Sequence, residues 1–131
     1  MGWTPNEQEI DAVLSLEASK RYQHWLKKVA DQEEVWSLWH EGGWALVGDD
    51  ARNQLVPVWP HSLYAARCAA GAWAGYEPKA IPLEAWLNRW IPGIERDHRR
   101  IAVFPTPNDR GVSIEPKRLE RDLRSELSHY E

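Results

Sequence analysis

Residues 35–59 read VWSLWHEGGWALVGDDARNQLVPVW. Three β-prone runs, 35–39, 44–47 and 55–59, are separated by two turns, Glu41-Gly42-Gly43 and 48–53. Strands joined by turns this short pair with each other, so the stretch predicts a hairpin followed by a third strand. Pro57 cannot donate to a strand ladder, which predicts that the third strand lies at a sheet edge or is bulged at that residue.

Helices are predicted on both sides of this β region. Thr4-Pro5-Asn6-Glu7 matches a capping box with proline at the first helical position. Ser62 is predicted to cap a second helix, and Pro92-Gly93 is predicted to end a third one. The predicted elements, in chain order, are a helix over about 5–30 with a bend near 16–19, strands at 35–39, 44–47 and 55–59, a helix at 63–73, a strand at 79–81, a helix from Pro82 to Ile91, strands at 101–104 and 112–114, and a helix from Pro116.

The order α-β-β-β-α-β-α-β-β-α indicates an α+β fold, with a mainly antiparallel sheet of five to six strands and helices packed on it. The chain has 131 residues and contains no internal repeat and no low-complexity linker, so a single domain is predicted over 1–131. Within it, a helical N-terminal segment at about 5–30 precedes an α+β body at about 35–131.

The composition excludes several classes of protein. One cysteine, Cys68, permits neither an intrachain disulfide nor a cysteine-based zinc site, and it favours a reducing compartment. A formal net charge of −4 argues against a general nucleic-acid binder. No apolar run is long enough to cross a membrane, and the N-terminus lacks the pattern of a secretory signal. We therefore expect a cytoplasmic protein without nucleic-acid or membrane partners.

No spacing in the sequence indicates a catalytic or metal site. None of the five histidines has a His-x-x-x-His partner or a cysteine pair nearby. Cys68 lies in an alanine-rich helix and is predicted to be a packed thiol, with a Cys68–His61 pair as the weaker alternative. Asp49-Asp50 is predicted to form a turn rather than a metal or base pair. We therefore predict no catalytic residue, no metal and no cofactor, and an enzyme is the less favoured class of function.

Nine tryptophans against one phenylalanine are the unusual feature of the composition. Trp25, Trp86 and Trp90 lie on apolar helix stripes and are predicted to be core residues. Trp36 and Trp39 differ by an odd number of positions, so on one strand they point to opposite faces. Either both faces of that strand are covered, or one large indole is exposed.

A second group of aromatic and basic residues forms the predicted binding set. Trp44, Trp59 and Trp73 border turns or helix ends, where indoles either pack or form a recognition patch. The charge cluster at 95–100 is either a solvated connection or a site for a phosphate or an acidic partner. The candidate binding residues are Trp44, Trp59, His61, Trp73, Arg96, Arg99 and Arg100.

Several segments together resemble a known family. They are Val35-Trp36-Ser37-Leu38 with Gly43-Trp44, Pro57-Val58-Trp59-Pro60-His61, Pro78-Lys79-Ala80-Ile81, Trp86-Leu87 with Trp90-Ile91-Pro92-Gly93, Val103-Phe104-Pro105-Thr106-Pro107 with Gly111, and Glu115-Pro116 with Leu119, Asp122-Leu123 and Glu126-Leu127. In this order and at these spacings they resemble the bacterial domain-of-unknown-function family 2750, over nearly the whole chain. The resemblance implies an uncharacterised bacterial protein, and it assigns no activity and no catalytic residue.

Three kinds of function agree with these observations. The first is a non-catalytic protein-binding or regulatory module, for instance an immunity-type inhibitor whose acidic charge steers it to a basic partner. The second is a small-ligand-binding protein or weak enzyme with a pocket near Trp59–His61, where a strand end meets a helix start. The third is a homodimer whose interface is a patch of surplus tryptophans.

Overall fold

The computed structural model describes residues 3–49 and 51–130, except the side chains of Ala72 and Tyr130, and it confirms the predicted α+β class. The elements are α1 (Glu7–Leu14), α2 (Ala18–Gln32), β1 (Glu34–His40), β2 (Gly43–Trp44), β3 (Val47–Gly48), β4 (Gln54–Val58), α3 (Ser62–Arg67), β5 (Glu77–Pro82), α4 (Leu83–Ala85), a π-helical turn (Trp86–Trp90), α5 (Ile91–Arg96), β6 (Arg100–Val103), β7 (Val112–Ile114) and α6 (Pro116–Leu127), with 3-10 turns at Gly71–Trp73 and Ser128–Tyr130.

The strands form two sheets, with the orders β2-β1-β5 and β3-β4-β6-β7. Neighbouring strands are antiparallel except β4 and β6, which are parallel. The predicted hairpin is present, with Trp39 of β1 opposite Trp44 of β2. Helix α6 packs against both α2 and α5, and α2 also contacts β1, β6 and β7. The core lies between these helices and the two sheets.

The two sheets meet at one point on the edge of β1. Trp36 and Trp59 exchange backbone hydrogen bonds of 3.0 and 2.8 Å. The next hydrogen-bonded pair along an antiparallel ladder would be Leu38 with Pro57, but Pro57 has no N–H to donate. The Leu38 carbonyl instead accepts from the Ala45 nitrogen at 2.9 Å. Pro57 therefore ends the pairing between the sheets, and β2 and β4 diverge from that point.

The prediction of an edge strand around Pro57 is wrong, because β4 lies between β3 and β6. Its partner β3 pairs only with Gln54 and Leu55, so Pro57 lies beyond the end of β3. The missing N–H of Pro57 therefore breaks no hydrogen bond between β3 and β4. The Pro57 carbonyl is satisfied by the buried hydroxyl of Ser37, which donates to it at 2.7 Å. A proline is tolerated inside this sheet because the sheet is interrupted there.

The predicted N-terminal helix is two helices. α1 and α2 are separated at 15–17, close to the predicted bend. The Ser15 hydroxyl donates to a carbonyl of α1 at 2.8 Å, a local bond of the kind that competes with helix continuation. The predicted capping box at Thr4 is wrong. Asn6 caps α1 instead, since its side chain accepts from the Glu9 nitrogen at 2.8 Å.

The boundaries of α3 also differ from the prediction. His61, not Ser62, is the N-cap residue, and its Nδ1 accepts a backbone N–H of the first turn at 3.1 Å. The helix ends at Arg67, short of the predicted Trp73. The chain has left the helix by Ala70, which is extended with φ −142° and ψ 170°, and Gly71 follows with a φ of 58°.

Pro92-Gly93 does not end the helix that follows β5, contrary to the prediction. The helical path runs from α4 through the π-helical turn and into α5 without a gap. In the π-helical turn the Ile91 nitrogen bonds to the Trp86 carbonyl, five residues back. Pro92 follows directly as the second residue of α5, where the π-helical turn has already displaced the hydrogen-bond ladder.

A buried arginine ties the N-terminal helices to the end of β6. Arg21 is 2% exposed. Its guanidinium donates to the Phe104 carbonyl at 3.0 Å, to Asp109 Oδ1 at 2.8 Å and to the Leu16 carbonyl. Phe104 has a φ of 58°, a strained value for a residue with a side chain. The arginine therefore holds the start of the β6–β7 loop in a conformation that the loop alone would not favour.

Arg21→Met is expected to destabilise the protein by about 3 kcal/mol, because it leaves the buried Phe104 carbonyl without a donor. Urea denaturation followed by circular dichroism measures the change. Arg124→Met is the matched control, since that guanidinium is exposed and pairs with Glu120 on the surface. The control should change stability by less than about 0.5 kcal/mol. Equal unfolding midpoints for the two variants would show that Arg21 contributes no more than a surface arginine.

Candidate functional site

A cleft of about 370 Å³ opens where the two sheets diverge, between the sheets and the helical path that ends in α5. The sheet side is formed by Trp44, Leu46 and Val56. The helix side is formed by Arg89, Trp90, Gly93 and Ile94, with Asp97 and Arg99 just beyond it. We call this the Trp44–Trp90 cleft. Its two walls belong to separate elements, and on the sheet side Trp44 and Val56 come from the two different sheets.

The aromatic wall of the cleft is fixed by ring contacts. The Trp44 and Trp90 rings meet edge to face, with centroids 4.7 Å apart. Trp39 packs on Trp44 at 5.0 Å, and Lys79 Nζ lies 4.1 Å from the Trp39 centroid. Behind the wall, Trp90 stacks on Trp86 at 5.9 Å. Aromatic pairs of this kind contribute about 0.5–1.5 kcal/mol each, so the wall is held in place without a ligand.

The three tryptophans predicted to be core residues differ in how far they are buried. Trp25 and Trp86 are fully buried, as predicted, and their centroids lie 6.4 Å apart. Trp90 is half-buried and lines the cleft, so the prediction of a core residue is wrong for it in part. Trp36 and Trp39 are both half-buried, which means that both faces of β1 are covered.

The floor of the cleft is apolar, and its helix side lacks one side chain. Val56 and Ile94 are buried, whereas Leu46 is 37% exposed at the mouth. On Gly93 an added Cβ would meet Arg96 Nη2 at 3.5 Å, an ordinary van der Waals contact. The cleft therefore has room at Gly93 for a side chain that the protein does not supply.

The rim of the cleft has three charged residues, of which two are paired. Arg99 donates from Nε to Gln54 Oε1 at 3.2 Å and from Nη1 to Asp97 Oδ2 at 3.4 Å. Arg89 is exposed, and within residues 3–49 and 51–130 it has no hydrogen-bond or ion-pair partner. The cleft thus combines apolar surface with one guanidinium that is available to a ligand.

The lining consists of apolar residues and three charged ones. Among the described residues that form it there is no serine, cysteine, histidine or lysine, and its one carboxylate, Asp97, pairs with Arg99. Nucleophilic and general acid–base catalysis require such groups within hydrogen-bond reach of the substrate. An apolar group with an anion beside it fits the chemistry of this lining.

The structure distributes the predicted binding residues over several places. Trp44 and Arg99 line the cleft, and Arg96 lies exposed on α5 next to it. Arg100 instead turns to β7, where its guanidinium donates to Ser113 Oγ at 2.9 Å and to the Ser113 carbonyl at 3.1 Å. Two of the three predicted arginines therefore lie at or beside the cleft, and the third stabilises a sheet edge.

Trp59, Trp73 and His61 lie away from the cleft. Trp59 is fully buried, and its Nε1 donates to the Pro105 carbonyl at 2.9 Å. Trp73 packs edge to face on Trp59 at 5.9 Å and lines a second cavity beside the β6–β7 loop. His61 caps α3, and its ring packs at 5.3 Å from Trp3. In this arrangement Trp59 has no surface to offer a ligand near His61.

Seven of the nine residues that line the cleft are missing from the predicted binding set, among them Leu46, Arg89 and Gly93. In the sequence Leu46 belongs to a predicted strand, Arg89 to the polar side of a helix, and Gly93 to a predicted helix end. The one available signal is the position of Trp90 beside Arg89, which places a large aromatic ring next to a charge on the same helix. Their convergence depends on the helix continuing past Pro92.

A second cluster of aromatic and titratable groups lies under the N-terminal segment. The Trp3 ring packs edge to face on His24 and His61, with centroids 5.9 and 5.3 Å away, and Lys28 Nζ lies 4.5 Å from its centroid. Burial lowers the pKa of His24, and the charge of Lys28 lowers it further. Burial also lowers the pKa of His61, although nearby glutamates act in the opposite direction. Both imidazoles are therefore harder to protonate in the folded protein than in the unfolded chain.

The stability of the fold is expected to decrease as the pH falls below about 6.5. Because the pKa of His24 and of His61 is lowered by folding, the unfolded chain takes up protons first, and the stabilisation present above that pH is lost below it. Urea midpoints measured between about pH 7.5 and 5.5 test this. Combining His24→Phe with His61→Asn, which retains a capping side chain, should flatten the profile.

His129→Gln is the control for that experiment, because His129 is exposed on the last turn of the chain and should leave the profile unchanged. A wild-type midpoint that stays constant over the same interval would contradict the expectation.

Cys68 is a packed thiol, as predicted. It is buried, its Sγ donates to the Pro105 carbonyl at 3.3 Å, and burial raises its pKa to about 11. A thiol with so high a pKa contains very little of the thiolate that acts as a nucleophile. These observations assign Cys68 to the core and not to catalysis.

In the folded protein, Cys68 is expected not to react with a thiol-specific disulfide reagent at about pH 8, because it is buried and protonated. One equivalent should react after unfolding in guanidinium chloride. Rapid reaction of the folded protein would contradict the packed position of this thiol.

The remaining acidic candidate in the sequence was the pair Asp49-Asp50, which was predicted to form a turn. Asp49 Oδ1 accepts from the nitrogens of Ala51 and Asn53, both at 2.9 Å, which confirms the predicted turn, while Asp50 lies outside the described residues. In the part of the chain that the structure describes, no three His, Cys, Asp or Glu side chains cluster in a way that could hold a metal ion. No helix in that part is long and apolar enough to span a bilayer.

Comparison with known proteins gives one match. A family model described as a protein of unknown function (DUF2750) matches residues 22–123, a segment that includes the whole lining of the cleft. This confirms the resemblance found in the sequence. No curated protein and no solved structure matches the chain.

Proposed function

The chain belongs to the DUF2750 family, whose function is unknown, and we propose that it acts as a non-catalytic recognition domain that holds an apolar side chain of a partner protein in the Trp44–Trp90 cleft. The observation that supports this most is an apolar cleft whose walls are fixed in advance and whose lining offers no set of groups for chemistry. Protein interfaces concentrate their binding energy on such pockets, into which the partner inserts an anchor residue.

The size of the cleft agrees with a single anchor side chain. Its volume of about 370 Å³ lies near the lower end of ligand sites in proteins. Its floor is apolar at Val56 and Ile94, and its charges are confined to the rim at Arg89, Asp97 and Arg99. An apolar centre with a polar rim is the usual composition of a protein interface.

The net charge of −4 affects how fast a charged partner associates with the protein, rather than the contacts made in the cleft. It supports a basic partner protein overall, as for an immunity-type inhibitor, which is the narrower role that we propose within this class. A cytoplasmic location, supported by the single cysteine Cys68, is part of the same proposal.

The test is to select binding peptides from a displayed random library on the full chain and then to measure their affinity for variants. Gly93→Leu is expected to weaken binding at least about tenfold, because Gly93 lines the cleft and leucine is much bulkier. Asn88→Leu adds the same side chain to the same helical path outside the cleft and should bind as the wild type does.

Thermal unfolding of each variant establishes that it is folded before its affinity is compared. Selected peptides that bind Gly93→Leu as tightly as the wild type would refute the cleft as the site. Failure to select any peptide would refute the recognition function. If the wild type forms a dimer and only the cleft variant is monomeric, the occupant of the cleft is a second copy of this chain. That result corresponds to the homodimer predicted from the sequence.

A further inference from the structure

The charges around the cleft differ in how far the protein itself satisfies them. Arg99 is already bonded to Gln54 and Asp97, and its guanidinium is only partly exposed. Asp97, the one carboxylate of the lining, is half-exposed and contacts Arg99 through Oδ2 at 3.4 Å. Arg89 is exposed beside the Trp90 ring, and the described residues supply neither an acceptor nor an anion for it. Of the charged groups at the rim, Arg89 is the one left for a partner.

A further exposed charge beside Gly93 on the same helical path is also positive, whereas the intervening Glu95 pairs with Lys117 at 3.8 Å. Arg96 is exposed one turn after Gly93, and its Nη2 lies close enough to meet a Cβ added there at 3.5 Å. Across the described residues Arg96, like Arg89, has no ion-pair partner. A ligand seated against Gly93 therefore meets unpaired guanidinium groups at both ends of the helix wall.

Charge complementarity then decides what lies beside the anchor side chain. A basic segment would bring like charge towards Arg89 and Arg96. The only carboxylate in the cleft lining, Asp97, already contacts Arg99. An acidic segment would give these guanidinium groups the acceptors they lack, in the bidentate form that arginine favours. The net charge of −4 does not reverse this, because at physiological salt charges more than about 8 Å away are largely screened.

We infer that the occupant of the Trp44–Trp90 cleft is an acidic protein segment in which an Asp or Glu adjoins an aromatic or large aliphatic anchor, with Arg89 as the residue that selects the carboxylate. This inference rests on the proposed recognition function and specifies its partner. The anchor packs on the edges of Trp44 and Trp90, and the carboxylate lies over the helix wall. The immunity-type role then requires a partner that is basic overall and contains an acidic segment at the contact.

Three dye-labelled probe peptides test this by fluorescence anisotropy on the full chain: Gly-Asp-Phe-Asp-Gly, Gly-Lys-Phe-Lys-Gly and Gly-Asp-Gly-Asp-Gly. The acidic aromatic probe is expected to bind at least about tenfold more tightly than either of the others, with an affinity that falls as salt is added. Arg89→Gln should remove most of that preference. Arg89→Glu should reverse it in favour of the Lys-containing probe.

Arg121→Glu is the matched control, because it makes the same charge change at an exposed position of α6 away from the cleft and should leave the preference unchanged. Equal binding of the acidic and basic aromatic probes, no binding of the acidic aromatic probe at about 1 mM, or a preference that survives Arg89→Glu would overturn the inference.

These outcomes are separable from failure of the proposed function itself. If the library peptides still lose affinity for Gly93→Leu while the acidic probe shows no preference, the cleft is a recognition site and the acidic chemistry is wrong. If neither library peptides nor probes respond to Gly93→Leu, the cleft is not the site, and both the function and the inference fail.

Discussion

The backbone pair of Trp36 with Trp59 is the contact on which both the architecture and the cleft depend. Its two hydrogen bonds hold β1 against the end of β4, and they are the only backbone junction between the sheets among the described residues. The indole of Trp59 continues the junction to the β6–β7 loop through the Pro105 carbonyl. Pro57 then prevents the next pair, because its nitrogen carries no hydrogen. A single proline beside the junction thus divides one sheet into two, and the cleft is the space between them.

The rigidity of the cleft comes from the core behind it. The indoles of Trp39, Trp44, Trp90, Trp86 and Trp25 contact one another in sequence, from the surface to a fully buried ring. A wall supported in this way loses little conformational freedom when a partner binds, which is how a small contact area gives useful affinity. The high tryptophan content therefore serves packing and recognition together, since the same chain of rings begins in the core and ends at the cleft.

The sequence predicted secondary-structure elements correctly where they depend on a local pattern of residues. Val112–Ile114 pairs with β6 as the alternating pattern predicts, and α6 extends over the leucines spaced four apart. Trp44 and Arg99, predicted as binding residues, do lie in the cleft. Trp44 was predicted from its position beside a turn, and Arg99 from the charge cluster at 95–100.

Prediction failed where the outcome depends on partners that are distant in the chain. The interior position of β4 requires β6, whose end is joined to it by the Phe104 nitrogen and the Val58 carbonyl. The continuation of the helix past Pro92 requires the π-helical turn, which has no simple pattern of apolar residues. Without that turn, Arg89 and Gly93 would not face the sheet at Trp44, so the sequence pattern alone could not assemble the site.

The most direct measurement for the central claim is a titration of the 15N-labelled protein with the acidic aromatic probe, followed through the Nε1–H signals of its nine indoles in NMR spectra. Recognition in the cleft predicts that the signals of Trp44 and Trp90 move together while those of the buried Trp25, Trp59 and Trp86 shift far less. Unchanged Trp44 and Trp90 signals, with shifts confined to Trp73 or Trp3, would place the binding surface elsewhere and contradict the claim.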